Sequence, residues 1–199
     1  MVSGSLKKRF ERWVSPRVTV LASAGLTPNI LTLMGLVASL AAAWCYLNWR
    51  IDRLLLPAAA ALLLLSGLLD ALDGVLARAC GGASPFGGFL DSVSDRYSDA
   101  VVLAAVVVAG LCEPAWGLAA IIGSIMVSYA RARAEAAGVG MAAVGLAERA
   151  ERMLLLAAAT FAAYFRQEAL GWGVALLAAL AHLTVLQRAV HFLRETGGR

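Results

Sequence analysis

Five aspartates stand within or at the ends of strongly apolar stretches: Asp70, Asp73, Asp91, Asp95 and Asp99. A carboxylate at the centre of a bilayer costs about 2.5–3.5 kcal/mol even on a lenient insertion scale. A cluster of five therefore calls for a compensating charge. A divalent cation is the natural candidate, because carboxylate oxygens are hard ligands. Asp70 and Asp73 are three residues apart, and Asp91 and Asp95 are four apart, so each pair shares one face of its helix. A short loop joins the two helices, so they are expected to be antiparallel neighbours whose faces meet, and these four carboxylates would then hold one or two Mg2+ or Mn2+ ions. A pair of ions about 3.5–4 Å apart would suit phosphoryl transfer.

Small residues accompany the acids. Gly74 and Ala77 open the helix surface beside Asp73, and Gly87 and Gly88 do so before Asp91. Glycine lets a phosphate or a ribose approach the backbone. Arg78, one turn beyond Gly74, is placed to pair with a diphosphate. A carboxylate within reach of an acceptor hydroxyl can take its proton, which an attack on phosphorus requires.

The run Asp70-x2-Asp73-Gly74-x2-Ala77-Arg78-x8-Gly87-x3-Asp91-x3-Asp95 resembles, at every fixed position, the signature of the CDP-alcohol phosphatidyltransferase family. The resemblance implies two divalent metals among the four aspartates, with the CDP diphosphate against them. It also implies that Asp95 is the general base and that the protein is a homodimer. The second half carries Ser128-Tyr-Ala-Arg131, Glu148-Arg-Ala-Glu-Arg152 and Gln187-Arg188, and Leu26-Thr27-Pro28-Asn29 precedes the first apolar stretch. These runs resemble the phosphatidylinositol-phosphate and archaetidylinositol-phosphate synthases within that family. The likeness implies transfer of a diacylglycerol or archaeol phosphate group from a CDP-lipid to inositol phosphate, with release of CMP. Leu26, Thr27, Pro28, Asn29, Gly74, Arg78 and Ser84 would contact the CDP-lipid. Ser128, Arg131, Arg152 and Arg188 would hold the acceptor phosphate. Two positions depart from the bacterial pattern: Arg131 stands in place of lysine and Ala150 in place of proline. Glycerol 3-phosphate is the second acceptor to consider, and serine the third.

Elements that bring these residues together must be membrane helices. The 199 residues are 61% hydrophobic, with mean hydropathy +0.78, whereas a soluble domain is about 45–50% apolar. Six apolar spans are expected, over roughly 29–49, 54–79, 87–111, 115–136, 147–165 and 169–193. Ala and Leu dominate without period-2 alternation, so the fold class is an all-α integral membrane protein. Residues 1–25 read as an amphipathic juxtamembrane helix, with Leu6, Phe10, Trp13 and Val14 at helical spacing and basic residues between them. Residues 26–199 read as one six-helix domain. No cleavable signal peptide is expected, because Glu11 and Arg12 interrupt the apolar run.

With six spans, the termini and the loops after spans two and four share a side. That side carries fourteen basic residues, against three (Arg50, Arg53 and Arg166) on the other. The richer side, which also holds the aspartate ends, is expected to face the cytoplasm from the plasma membrane. Trp44, Trp49, Trp116 and Trp172 fall near the opposite ends, as an interfacial belt would.

The net charge of +4 flanks apolar spans, which points to headgroups and phosphates and away from nucleic acid. Cys45, Cys80 and Cys112 are scattered and form no disulfide or zinc pattern. His182 and His191 read as packing or interfacial residues, Gly67, Gly110 and Gly123 as helix-packing positions, and Glu148 and Glu151 as partners of nearby arginines. The competing class is an ion-coupled transporter, since buried acids also mark ion pathways. It leaves the Asp-Gly-x2-Ala-Arg setting and the arginines unexplained.

Overall fold

The computed structural model describes residues 25–79, 84–142 and 144–197. The expected juxtamembrane helix lies outside them. The described residues form six helices and no strand: α1 Pro28–Asn48, α2 Leu55–Ala79, α3 Pro85–Val108, α4 Pro114–Ala136, α5 Arg149–Ala163 and α6 Glu168–Thr196. Three of them start on proline, which lacks the amide hydrogen that a first turn cannot use. Thr27 Oγ1 accepts from the Ile30 amide at 3.3 Å, and Ser84 Oγ from the Gly87 amide at 3.0 Å, so α1 and α3 begin on side-chain caps.

Four helices, α1, α2, α4 and α6, are long and apolar enough to cross a membrane. The other two depart from the expected six spans for different reasons. The helix α3 carries Asp91, Asp95, Arg96 and Asp99, and α5 has only 15 residues. By length and composition the chain is a multi-pass membrane protein with four such helices among the described residues.

The helix α1 packs along both α2 and α3, α2 packs on α5, α3 on α4, and α6 on α4 and α5. The aspartate helices thus share α1 as their common neighbour, where the sequence had led us to expect α2 and α3 to lie directly side by side. Gly35 of α1 faces α2 at this seam: a Cβ there would lie in ordinary contact, 3.4 Å from the Ser66 carbonyl oxygen and 3.7 Å from Leu69 Cβ. Ser39 and Ser66 exchange a hydroxyl hydrogen bond of 2.9 Å across the same seam. At the α2–α5 seam, a side chain on Gly67 would strike Met153, so Gly67 does serve packing. Gly110, by contrast, sits at φ +70° and stops α3.

The apolar core lies at the end away from the aspartates and includes Ala42, Tyr46, Leu56, Leu63, Val106, Leu156 and Val174. Thr160 donates to the Leu156 carbonyl at 2.7 Å, so its oxygen accepts from the Tyr46 hydroxyl at 2.5 Å. Trp49 joins this core, donating from Nε1 to the Ala109 carbonyl at 3.2 Å, whereas Trp44, Trp116 and Trp172 are exposed as an interfacial belt requires. The large exposed side chains are mostly Leu, Ile, Val and aromatics, the surface that lipid solvates.

Candidate active site

The pairs set by helical spacing do not behave alike. Asp70, Asp91 and Asp95 each offer a carboxylate oxygen, and the three oxygens lie within 4.8 Å of one another. Asp73, one turn beyond Asp70 on α2, turns toward α1. Its Oδ2 accepts from Thr32 Oγ1 at 2.6 Å, and the residue is only 6% exposed. The fourth expected metal ligand is therefore engaged by α1, beside the three that gather.

The gathered carboxylates fit a divalent cation. All donors are hard oxygens, and Asp91 Oδ1 is buried without any hydrogen-bond partner. Such an orphan is costly unless a ligand completes it. Asp70, Asp91 and Asp95 could hold a divalent metal, with Asp73 adjoining.

Beside the carboxylates lies a cavity of about 260 Å³ lined by Thr27, Pro28, Asn29, Thr32, Asp73, Gly74, Ala77, Ser84, Gly87, Gly88 and Asp91. Five of the seven residues expected at the CDP-lipid line it: Thr27, Pro28, Asn29, Gly74 and Ser84. Leu26 adjoins them in sequence and is half-buried. Arg78 is exposed one turn above, its guanidinium 3.6 Å from where a Cβ on Gly74 would stand. The N-termini of α1 and α3 both border the cavity. Their free amides and dipoles favour anions there. Glycine keeps the space open. A Cβ on Gly87 would come within 3.0 Å of both Asn29 Oδ1 and Ser84 Oγ, and one on Gly88 would meet nothing within 4 Å.

The opposite half of the molecule supplies guanidinium groups. Arg149, the first residue of α5, places NH1 3.1 Å from Asp70 Oδ2 and 3.1 Å from Asp95 Oδ1, and Nε 3.4 Å from Asp99 Oδ1. Arg152 donates to Asp99 Oδ2 at 3.3 Å and to the Ala147 carbonyl at 3.0 Å. Arg188 donates to the carbonyls of Val144 and Val127 at 2.9 and 2.5 Å. Arg152 and Arg188 are 4% and 3% exposed. Arg131 is exposed and pairs with Glu135 at 2.9 Å, with Ser128 half-buried one turn before it. The charges of Arg131 and Arg152 both act on Arg188, as do the opposite charges of Glu148 and Glu135, so the three arginines share one region with two glutamates among them.

The approach of Arg149 to the aspartates depends on the loop before it. Gln187 accepts from the Leu146 amide at 3.0 Å and Thr184 from the Ala147 amide at 3.2 Å, so α6 fixes the chain as it enters α5. His191 meets the Gly140 carbonyl at 3.2 Å, and His182 the Ala119 carbonyl at 3.1 Å. Cys45 and Cys112 are free thiols. Sequence reasoning assigned Arg149 only to the basic side of the membrane and did not reach Thr32. The signal for Thr32 was its place one turn after Pro28. For Arg149 it was a second arginine in the Glu148–Arg152 run, with nothing local to say which one meets the acids.

Residues 25–186 match the sequence profile of the CDP-alcohol phosphatidyltransferase family. The archaetidylinositol phosphate synthase of Pyrococcus horikoshii is 44% identical over 169 residues, covering 84% of each chain. The phosphatidylinositol phosphate synthase of Mycobacteroides abscessus is 35% identical, over 99% of this chain and 91% of its own. Among solved structures, the Mycobacterium tuberculosis phosphatidylinositol phosphate synthase with CDP-DAG bound superposes with TM-score 0.78 at 31% identity, over 92% of this chain and 94% of its own. The same enzyme in complex with manganese and citrate gives TM-score 0.77, over 90% of this chain and 88% of its own.

Proposed function

The chain belongs to the CDP-alcohol phosphatidyltransferase family, and we propose that it transfers the lipid phosphate group of a CDP-lipid to an inositol phosphate, releasing CMP. The observation that carries this reading is the meeting of three carboxylates, Asp70, Asp91 and Asp95, of which Asp91 also lines a glycine-rich cavity bordered by two helix N-termini. The synthase names of the similar proteins support the choice of acceptor. The gathering of the helix-borne aspartates at one end of the bundle, with Asp73 and Asp91 lining a cavity, favours the transferase over a transporter.

In this reading Asp70, Asp73, Asp91 and Asp95 hold two Mg2+ or Mn2+ ions, which neutralise the diphosphate and the charge that develops on departing CMP. Leu26, Thr27, Pro28, Asn29, Gly74, Arg78 and Ser84 orient the CDP portion. Asp95 takes the proton of the acceptor hydroxyl. The acceptor oxygen forms its bond to the lipid-bearing phosphorus, the bond from that phosphorus to CMP breaks, and the electron pair leaves with CMP. Ser128, Arg131, Arg152 and Arg188 attract the acceptor phosphate, which guanidinium groups suit as forked donors. The donor's chains stay in the bilayer of the plasma membrane while its nucleotide meets the cytoplasmic face. Residues 26–199 act as one domain behind a surface helix at 1–25, and the working form is a homodimer.

The test is CMP release by the purified protein with Mg2+ and a diacylglycerol or archaeol CDP donor, offering inositol phosphate, glycerol 3-phosphate, free inositol and serine separately. Release with inositol phosphate alone is expected. Release only with another acceptor would keep the transfer and discard the arginine assignment. No release with any acceptor would sink the reading.

A further inference from the structure

Arg149 is a half-buried cation placed where a metal ion is expected. Its NH1 sits 3.1 Å from Asp70 Oδ2 and 3.1 Å from Asp95 Oδ1, so one nitrogen bridges two of the three gathered carboxylates. Its hold there is electrostatic: Nε is buried without an aligned acceptor, although Asp99 Oδ1 lies 3.4 Å away. Arg188, in contrast, is locked by two backbone carbonyls. Asp91 Oδ1 has no partner, so the guanidinium does not complete the site it occupies.

We propose that Arg149 is the built-in counter-cation of the metal-free site, bridging Asp70 and Asp95 until a divalent cation takes their oxygens, and then staying anchored through Asp99. The inference rests on the metal reading given above. Carboxylates this close repel when bare, and water screens Asp95 less than it screens the more exposed Asp70. A guanidinium offsets that repulsion. A doubly charged ion on the same oxygens would in turn repel the guanidinium, so the two exchange rather than coexist. Asp99 is one turn beyond Asp95 on α3 and lies outside the gathered set. It already contacts Arg149 and is also held by Arg152, which makes it a ready anchor. Arg149 is thus a positioning residue: it keeps the cluster compensated and open until the metal arrives.

Two readouts test the exchange without measuring turnover. Phenylglyoxal labelling of the intact protein, mapped by mass spectrometry, should modify Arg149 several-fold faster when Mg2+ is added without substrate. Unchanged or slower labelling would overturn the proposal. Mn2+ titration followed by electron paramagnetic resonance should show roughly tenfold tighter binding in Arg149→Met. The metal-free thermal midpoint of that variant should fall, with Mn2+ closing the gap to wild type, and Arg149→Lys should stay near wild type. Weaker Mn2+ binding in Arg149→Met would make Arg149 an aligning group for the ligands and overturn the exchange. If Arg149→Met fails to fold, the labelling of the wild-type protein decides alone. Failure of the wild-type protein to bind Mn2+ would instead overturn the metal reading itself, a result distinct from normal binding with an unresponsive Arg149.

Discussion

Asp91, in the half of the bundle built by α1, α2 and α3, and Arg188, in the half built by α4, α5 and α6, both withdraw polar atoms from solvent, yet they leave them in opposite states. Around α1–α3, Asp91 keeps an orphaned oxygen beside a cavity of about 260 Å³, and glycines hold that space open. Around α4–α6, Arg188 spends Nε and NH1 on the carbonyls of Val144 and Val127, within the protein itself, while Arg152 donates to the Ala147 carbonyl and keeps its Nε unpaired. Burial of charge alone does not mark a reaction site. Buried charge left unsatisfied next to an open space does, because only a ligand can complete it. The guanidinium groups of Arg152 and Arg188 fasten the loop before α5 through the Ala147 and Val144 carbonyls.

The largest effect expected of this contrast is on the acidic half. Chelation by EDTA should abolish CMP release, and Mg2+ or Mn2+ should restore it without refolding. Turnover that survives thorough chelation would remove the metal from the acidic half. Next comes Asp95→Asn, which should lower kcat by about 10²–10⁴-fold, the range for loss of a general base. CDP-lipid binding should persist in that variant, and wild-type turnover would end the base assignment. On the arginine half the effect should fall on stability. Arg188→Met leaves two carbonyls without their donor and should cost about 1–3 kcal/mol for each group left buried. Asp91→Asn, which relieves a crowd of like charges, should raise the metal-free thermal midpoint while abolishing activity. If Arg188→Met were as stable as wild type, the contrast between the halves would collapse.

Periodicity and apolar length made the helices legible in the chain. All six lie within a few residues of the expected spans, with Thr27 and Ser84 capping just ahead of proline. The count of helices able to cross a membrane was less legible. The helix α3 spends apolar length on four charged residues and α5 is 15 residues long, so neither reaches the measure that α1, α2, α4 and α6 meet. Helical spacing put Asp91 and Asp95 on one face of α3, where Asp70 of α2 meets them, but could not foresee the diversion of Asp73. That depends on Thr32 across a helix interface 41 residues away. Arg149 was hidden for a similar reason, since its contact with Asp70 is set by the antiparallel packing of α5 on α2. Arg149 meets Asp70 where, one turn on, Met153 meets Gly67. Long-range pairing of this kind leaves no local mark in the chain.

The smallest effect sharpens the boundary inside the acidic half. Thr32→Val keeps the side-chain shape and removes the 2.6 Å hydrogen bond to Asp73. In the presence of EDTA it should lower stability by about 1 kcal/mol, the usual net worth of such a bond. Saturating Mg2+ then separates two fates for Asp73. If Asp73 joins Asp70, Asp91 and Asp95 around the ions, its charge gains a stronger partner than the hydroxyl and the variant's deficit should shrink toward zero. Thermal midpoints of wild type and Thr32→Val, each with EDTA and with Mg2+, measure this directly. The shrinking deficit is the expected result. A deficit that Mg2+ leaves untouched would assign Asp73 to the wall of the nucleotide cavity, held by α1, and reduce the metal site to the three carboxylates that the bundle already gathers.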